Sequence, residues 1–341
     1  MKRYKFSKSI LFTFIAAITS LVLVSCSSTK PNPTVGNSES REIPTVAAKN
    51  DTNANSITSN SPVTFTKVSE NWRENNHIHG LAVDSHNPKI LWVATHNGLL
   101  QRSSTGEWFW IGKQRADYMG FTIDPTNNQR FYASGHPPTG GNLGFQISEN
   151  QGQDWQLVSM PGVDFHALGI ASREHPHGED ILYGWAVSGK RGLFASKDAG
   201  KTWTPKKAEG LKAAPIELVG YPGQPNRVYA ATRGGLYEST NGGDNWTLVP
   251  NTRDAPVIAI ALVEESASHI VMYGYRFLKS SPGLYRSLDS GKTWEPLGTG
   301  TQGVILKLAI PIINPRIIYA ANDKNLIFQS QDRGKTWEEV K

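Results

Sequence analysis

Three copies of one octapeptide limit what this chain can fold into. Ser196–Trp203 reads SKDAGKTW, Ser287–Trp294 reads SLDSGKTW and Ser330–Trp337 reads SQDRGKTW. Two looser copies, Ser148–Trp155 (SENQGQDW) and Ser239–Trp246 (STNGGDNW), and a worn one, Ser103–Trp108 (SSTGEW), complete the series. The closing tryptophans, 108, 155, 203, 246, 294 and 337, are 47, 48, 43, 48 and 43 residues apart. A period of that length means a repeat architecture in which each unit is one small sheet.

Each copy has the chemistry of a tight hairpin. A strand ends at the serine. Asp198, Asp289 and Asp332 can accept backbone N–H groups in the turn, and Gly200, Gly291 and Gly334 can take positive φ. Thr and Trp open the next strand, and the indole gives the sheet a large apolar plate. The octapeptide resembles the Asp-box, or BNR repeat, of the β-propellers shared by sialidases, sortilin-type receptors and many bacterial surface proteins. The resemblance covers roughly 103–341. It implies an all-β propeller whose box aspartates are structural and lie on the rim away from the ligand face. It implies little about activity, because one fold hosts many functions.

From Val63 onward the chain is short strands separated by turn signals. Each unit has an apolar strand A, a turn often carrying Asn and Pro, an apolar strand B, a strand C leading into the box and a strand D leaving it. Six such units run from about Ile78 to Lys341, which predicts a six-bladed β-propeller of four antiparallel strands per blade, occupying 63–341. A seventh, degenerate blade would need residues the sequence does not supply. Phe65-Thr-Lys-Val reads as a strand D that closes the ring against the last blade. Ring closure leaves only short edges exposed.

The first 25 residues read as a secretory signal: Lys2, Arg3, Lys5 and Lys8, then a mostly apolar run from Ile10 to Val24. Leu23-Val24-Ser25-Cys26 resembles a bacterial lipobox, which implies cleavage before Cys26 and its acylation. Cys26 is the one cysteine, so there is no disulfide framework and no CxxC metal site. Residues 27–62 are rich in Ser, Thr, Asn and Pro and poor in large apolar side chains, so 26–62 is expected to be a flexible tether from the lipidated Cys26. The expected location is extracytoplasmic, on the cell membrane or outer membrane, as a monomer. Losing residues 1–25 removes four bases and no acid, so the net charge falls from +6 to +2. No basic stripe with interleaved aromatics points to nucleic acid.

Topology sorts the nine histidines. In a four-stranded meander the A–B and C–D turns share one rim, and the B–C loops and D–A connections share the other. The boxes are C–D turns. His86, His175, His177 and His269 fall in A–B turns on the box rim. His77, His79 and His166 start strands A, and His96 and His136 end strands B, on the opposite rim. Aligning the repeats puts His77, Asp117 and Asp164 at one position and His79, Met119 and His166 two residues later. Residues i and i+2 of a strand point the same way. Three adjacent blades therefore aim these ligands together, with His96 and His136 beside them. The donors suit a first-row metal, copper or zinc. A histidine-lined pocket for an organic or anionic ligand is the other reading. Elsewhere on that rim, Arg233, Arg276 and Asp323 match His96. The two arginines could clamp a carboxylate, and Trp185 could help line the channel mouth.

These features lead to a membrane-tethered binding protein for a metal ion or small ligand. An exo-glycosidase of the sialidase type is the alternative, although the Arg-Ile-Pro motif of that family is absent. A third reading is a scaffold for a protein partner, resembling in its boxes the propeller that assists photosystem II assembly.

Overall fold

The computed structural model describes residues 65–341 apart from 70, 173–179, 254 and 267–268. The signal, Cys26, the tether, His175 and His177 lie outside the described residues. Asn60–Lys341 is one compact unit. Among the described residues there is no helix long and apolar enough to cross a membrane.

Six antiparallel meanders follow one another in chain order. The inner strands are Ile78–Val83, Asp117–Ile123, Asp164–Ala171, Pro215–Tyr221, Val257–Ser266 and Ile305–Ala309. The second strands are Leu91–Thr95, Phe131–His136, Ile181–Ser188, Gln224–Thr232, His269–Arg276 and Ile318–Asn322. The outermost strands are short: four of them, such as Thr204–Pro205, have two residues. Each inner strand touches the next, and Ile305–Ala309 touches Ile78–Val83, so the ring closes. The second strands read as continuous apolar runs because blades cover both of their faces; Leu91–Thr95 is buried at every position.

The ring does not close through Phe65–Lys67. That strand pairs with Trp108–Ile111, Phe65 opposite Ile111, and adds a fifth strand to the outside of blade 1. Blade 6 already owns four strands, so no position is vacant for it. Closure comes from the same devices that join the other blades. The Tyr319 hydroxyl donates to the Pro88 carbonyl at 2.8 Å, as Tyr183 does to Pro225 at 2.8 Å. Trp72 and Trp108 of blade 1 share one apolar core with Tyr319, Ile327 and Val340 of blade 6. Asn325 bonds back to the blade 1 entry, its side-chain oxygen accepting from Ile78 N–H at 3.2 Å.

The boxes are built as their sequence implies. In the copy at 330–337, Ser330 Oγ accepts from Gly334 N–H at 2.8 Å, and Asp332 Oδ1 accepts from Thr336 N–H at 2.9 Å. The indole of Trp337 donates to the Gly334 carbonyl at 3.1 Å. The glycines have a second duty. Gly200 (φ 82°) lies against the Phe145 ring of the preceding blade, and Gly152 and Gly243 lie against Leu99 and Leu193. Each box is thus a joint between blades as well as a turn.

These turns carry an acid sensitivity. Backbone and hydroxyl donors from Thr336 hold the Asp332 carboxyl down at about 2, below the ordinary 3.8. A depressed carboxylate contributes stability that is present above its unfolded value and is lost as pH falls through the folded one. The melting temperature is expected to decline as pH is lowered from about 4 to 2, and Asp332→Asn, which keeps the Oδ1 acceptor, is expected to flatten that decline. An identical pH profile in both proteins would remove the assignment.

Candidate functional site

A β-bulge sits at one equivalent place in all six inner strands, where the register against the second strand slips. The extra residues are His79, Met119, His166, Ile216, Ile258 and Leu306. A bulge re-aims a side chain, and here it turns side chains toward the central channel. His79, Met119, His166 and Ile216 line one cavity of about 40 Å³. Ile216, Ile258 and Leu306 belong to one apolar cluster. The bulge positions are therefore donor-rich in blades 1–3 and aliphatic in blades 4–6.

The expected ligands gather into two clusters rather than one. At the seam of blades 1 and 2, His79 Nε2 is 3.2 Å from Asp117 Oδ1, and His96 Nδ1 is 3.0 Å from Asp117 Oδ2. The two imidazole nitrogens are 3.2 Å apart. At the seam of blades 2 and 3, Asp164 Oδ2 is 2.6 Å from His166 Nε2 and 3.2 Å from His136 Nε2. In each cluster the three donor atoms lie within 4.8 Å of one another. Each aspartate comes from the start of an inner strand and meets a histidine at the end of a second strand in the blade before it.

Several of these atoms are close without being hydrogen-bonded. Asp117 Oδ1, both Asp164 oxygens, His136 Nε2 and His166 Nε2 are buried and have no partner in hydrogen-bond geometry. Asp164 is fully buried, and the imidazoles of His136 and His166 are the charges beside it. Zinc–nitrogen and zinc–oxygen bonds of about 2.0–2.2 Å put neighbouring donors on one ion roughly 3.0–3.4 Å apart. Four of the five separations above fall near that edge length. His136 Nδ1 is 3.1 Å from the Gly141 carbonyl. Donation from Nδ1–H there orients the ring with Nε2 toward Asp164.

The electrostatics couple each group to its neighbours. Burial works to raise the Asp164 carboxyl, but the imidazoles of His136 and His166 together hold it below the usual carboxylate range. The same carboxylate pushes His136 up to about 9 against its own burial. Burial lowers His79 in spite of Asp117 beside it. The second cluster is closed, whereas the side chain of His96 in the first is 48% exposed.

The remaining expected residues are placed elsewhere. His77 is exposed and gives the first cluster no donor atom; it meets His96 through a ring contact, centroids 6.0 Å apart, and its carbonyl accepts from His96 N–H at 3.2 Å. Met119 belongs to neither cluster and lines the cavity between them. Arg276 is buried, donates to the Asn251 carbonyl at 2.9 Å and lies over the Trp294 ring. Arg233 is exposed, and neither arginine lines the cavity. Asp323 caps its own corner, accepting from Val304 N–H at 3.0 Å. Trp185 packs beside Ala167 and Leu218 in the blade core. Two cavity residues escape the sequence reading, Glu217 and Lys307. They stand where other inner strands have Gly80, Gly120, Ala167 and Ala259. A charge inside an apolar inner strand was the available signal.

A family model described as BNR-Asp box repeat matches residues 327–340, the last box. Xyloglucanase Xgh74A of Acetivibrio thermocellus is 24% identical over 187 residues, 53% of this chain and 21% of that protein. A xyloglucanase of Hypocrea jecorina is 29% identical over 160 residues, 47% of this chain and 18% of its own length. Among solved structures, the GH74 enzyme of Niastella koreensis superposes with a TM-score of 0.54 at 16% identity, covering 77% of this chain and 45% of that one. The chain spans about a fifth of the curated relatives it matches, and the structural likeness is one of fold. Sequence and fold agree on a six-bladed propeller built from the Asp-box repeat.

Proposed function

We propose that this chain is an extracytoplasmic metal-binding propeller, tethered to a membrane through Cys26, that holds two copper or zinc ions at adjacent blade seams. One observation carries the reading. The same trio of two histidines and an aspartate is assembled twice, by different blades, with donor atoms that converge within 4.8 Å, those of the second cluster buried and outside hydrogen-bond geometry. A histidine that merely satisfies its own polar atoms does not need a second copy of that geometry one seam away. Two nitrogens and a carboxylate oxygen suit zinc or copper(II). Three protein donors leave each ion at least one open position.

Protein purified without an affinity tag is expected to retain, or take up, two equivalents of copper or zinc per chain by elemental analysis. Binding to the folded state alone raises the melting temperature. At a hundredfold excess over Kd the gain is about 2.7 kcal/mol, or roughly 5 °C or more for a chain of this size. No bound copper or zinc, together with no thermal shift on adding either, would rule this function out.

The sequence similarity to xyloglucanases favours a glycosidase as the second reading. Glycoside hydrolysis needs a pair of carboxyl groups flanking the bond that breaks. In the cavity Glu217 is paired with Lys307, and Asp117 and Asp164 are held between histidines. Release of reducing ends from xyloglucan by the purified chain would make hydrolysis the primary reading.

A further inference from the structure

Resting on the metal reading above, we propose that the channel beside the two clusters is a carboxylate-binding subsite. One oxygen of a small organic acid takes the open position on the ion held by His79, His96 and Asp117, and Lys307 supplies the second contact. The cavity brings the needed groups together. His79 from one cluster, His166 from the other, Ile216, Glu217 and Lys307 all line it. Its volume of about 40 Å³ is room for a few water-sized groups, which suits a carboxylate head and not a whole larger ligand.

Lys307 and Glu217 reach toward each other from blades 6 and 4, past Ala259 of blade 5. Their ion pair is long, 3.5 Å. The other Glu217 oxygen is fixed by the Ile260 N–H at 2.9 Å, so the glutamate is held by the backbone. An ammonium has three N–H donors, and Glu217 is the one hydrogen-bond acceptor found for Lys307. The remaining donors are available to an anion in a cavity that the metal ligands His79 and His166 also line. A purely structural bridge between blades would not need to stand on the cavity surface.

The test uses the tag-free chain loaded with copper(II), titrated with propionate and followed by its visible absorption and electron paramagnetic resonance. Copper stoichiometry is measured alongside. A saturable spectral change with propionate, and none with propionamide, is the expected result. Lys307→Met is expected to weaken propionate about tenfold, the size of one charge-assisted hydrogen bond. Since that variant leaves Glu217 without its partner, Lys307→Met/Glu217→Gln provides a neutral pair of similar shape, and the same loss is expected there. Copper uptake with no propionate response, or unchanged propionate affinity in the double variant, overturns the subsite and leaves the metal reading standing. Failure to take up copper or zinc overturns both.

Discussion

Asp164→Ala is expected to halve the metal content of the protein, from two equivalents to one, and to leave the first cluster filled. The carboxylate is the central donor of its cluster, lying 2.6 Å from His166 and 3.2 Å from His136. Changes in groups that merely orient metal ligands cost about 10–100-fold in affinity, so loss of a ligand is expected to cost more. The metal-free protein is affected as well. Alanine removes one partner of the buried Asp164–His136–His166 cluster, so the apo melting temperature is expected to fall. Loss of one equivalent of metal and of half of the metal-induced thermal shift, measured against the variant's own apo protein, is the signature of a site. Asp117→Ala is the reciprocal variant, and the first cluster is the one expected to empty. A variant that loses stability without metal and keeps two equivalents with it would mean that Asp164 serves the fold alone.

The second large effect is Gly200→Ala in the box of blade 3. A Cβ there would sit 1.9 Å from the Phe145 ring, at a φ of +82° that side chains rarely adopt. Phe145 is fully buried and also stacks edge-on against Trp203 at 5.0 Å. The ring cannot withdraw without opening the seam between blades 2 and 3, so the cost is overpacking plus backbone strain. We expect about 3 kcal/mol, or roughly 6–10 °C in melting temperature. Gly140→Ala is the control: its φ is +84°, but nothing lies within 4 Å of the added carbon. That variant is expected to lose about 1 kcal/mol. Equal effects at the two positions would show that conformation alone, and not the joint between blades, requires glycine in the box.

The inner and second strands, the turns and the blade count were legible because they follow from local rules. Asp332 and Gly334 make their turn from bonds within eight residues, and an apolar run such as Leu91–Thr95 can only be a strand buried on both faces. Phe65–Lys67 was misplaced for a related reason. Its sequence marks it as a strand, but which edge it joins depends on which sheets are already full. The role of Gly200 was half legible: positive φ can be read from the turn, whereas the Phe145 ring pressing on it comes from another blade.

The repeat by itself determined the propeller, and the phase of each histidine within its repeat determined which rim it occupies, because strand direction alternates regularly through every meander. The tertiary structure alone decided the partners. A seam joins residues 21 and 38 positions apart, His96 with Asp117 and His79 with Asp117, and 28 apart, His136 with Asp164. It divides one expected site into two, passes over His77 and brings Lys307 and Glu217 to the same cavity. Periodicity fixes the direction of a side chain from its own strand. Convergence depends on the angle between neighbouring sheets and on a bulge in each inner strand, and those are set by packing around the closed ring.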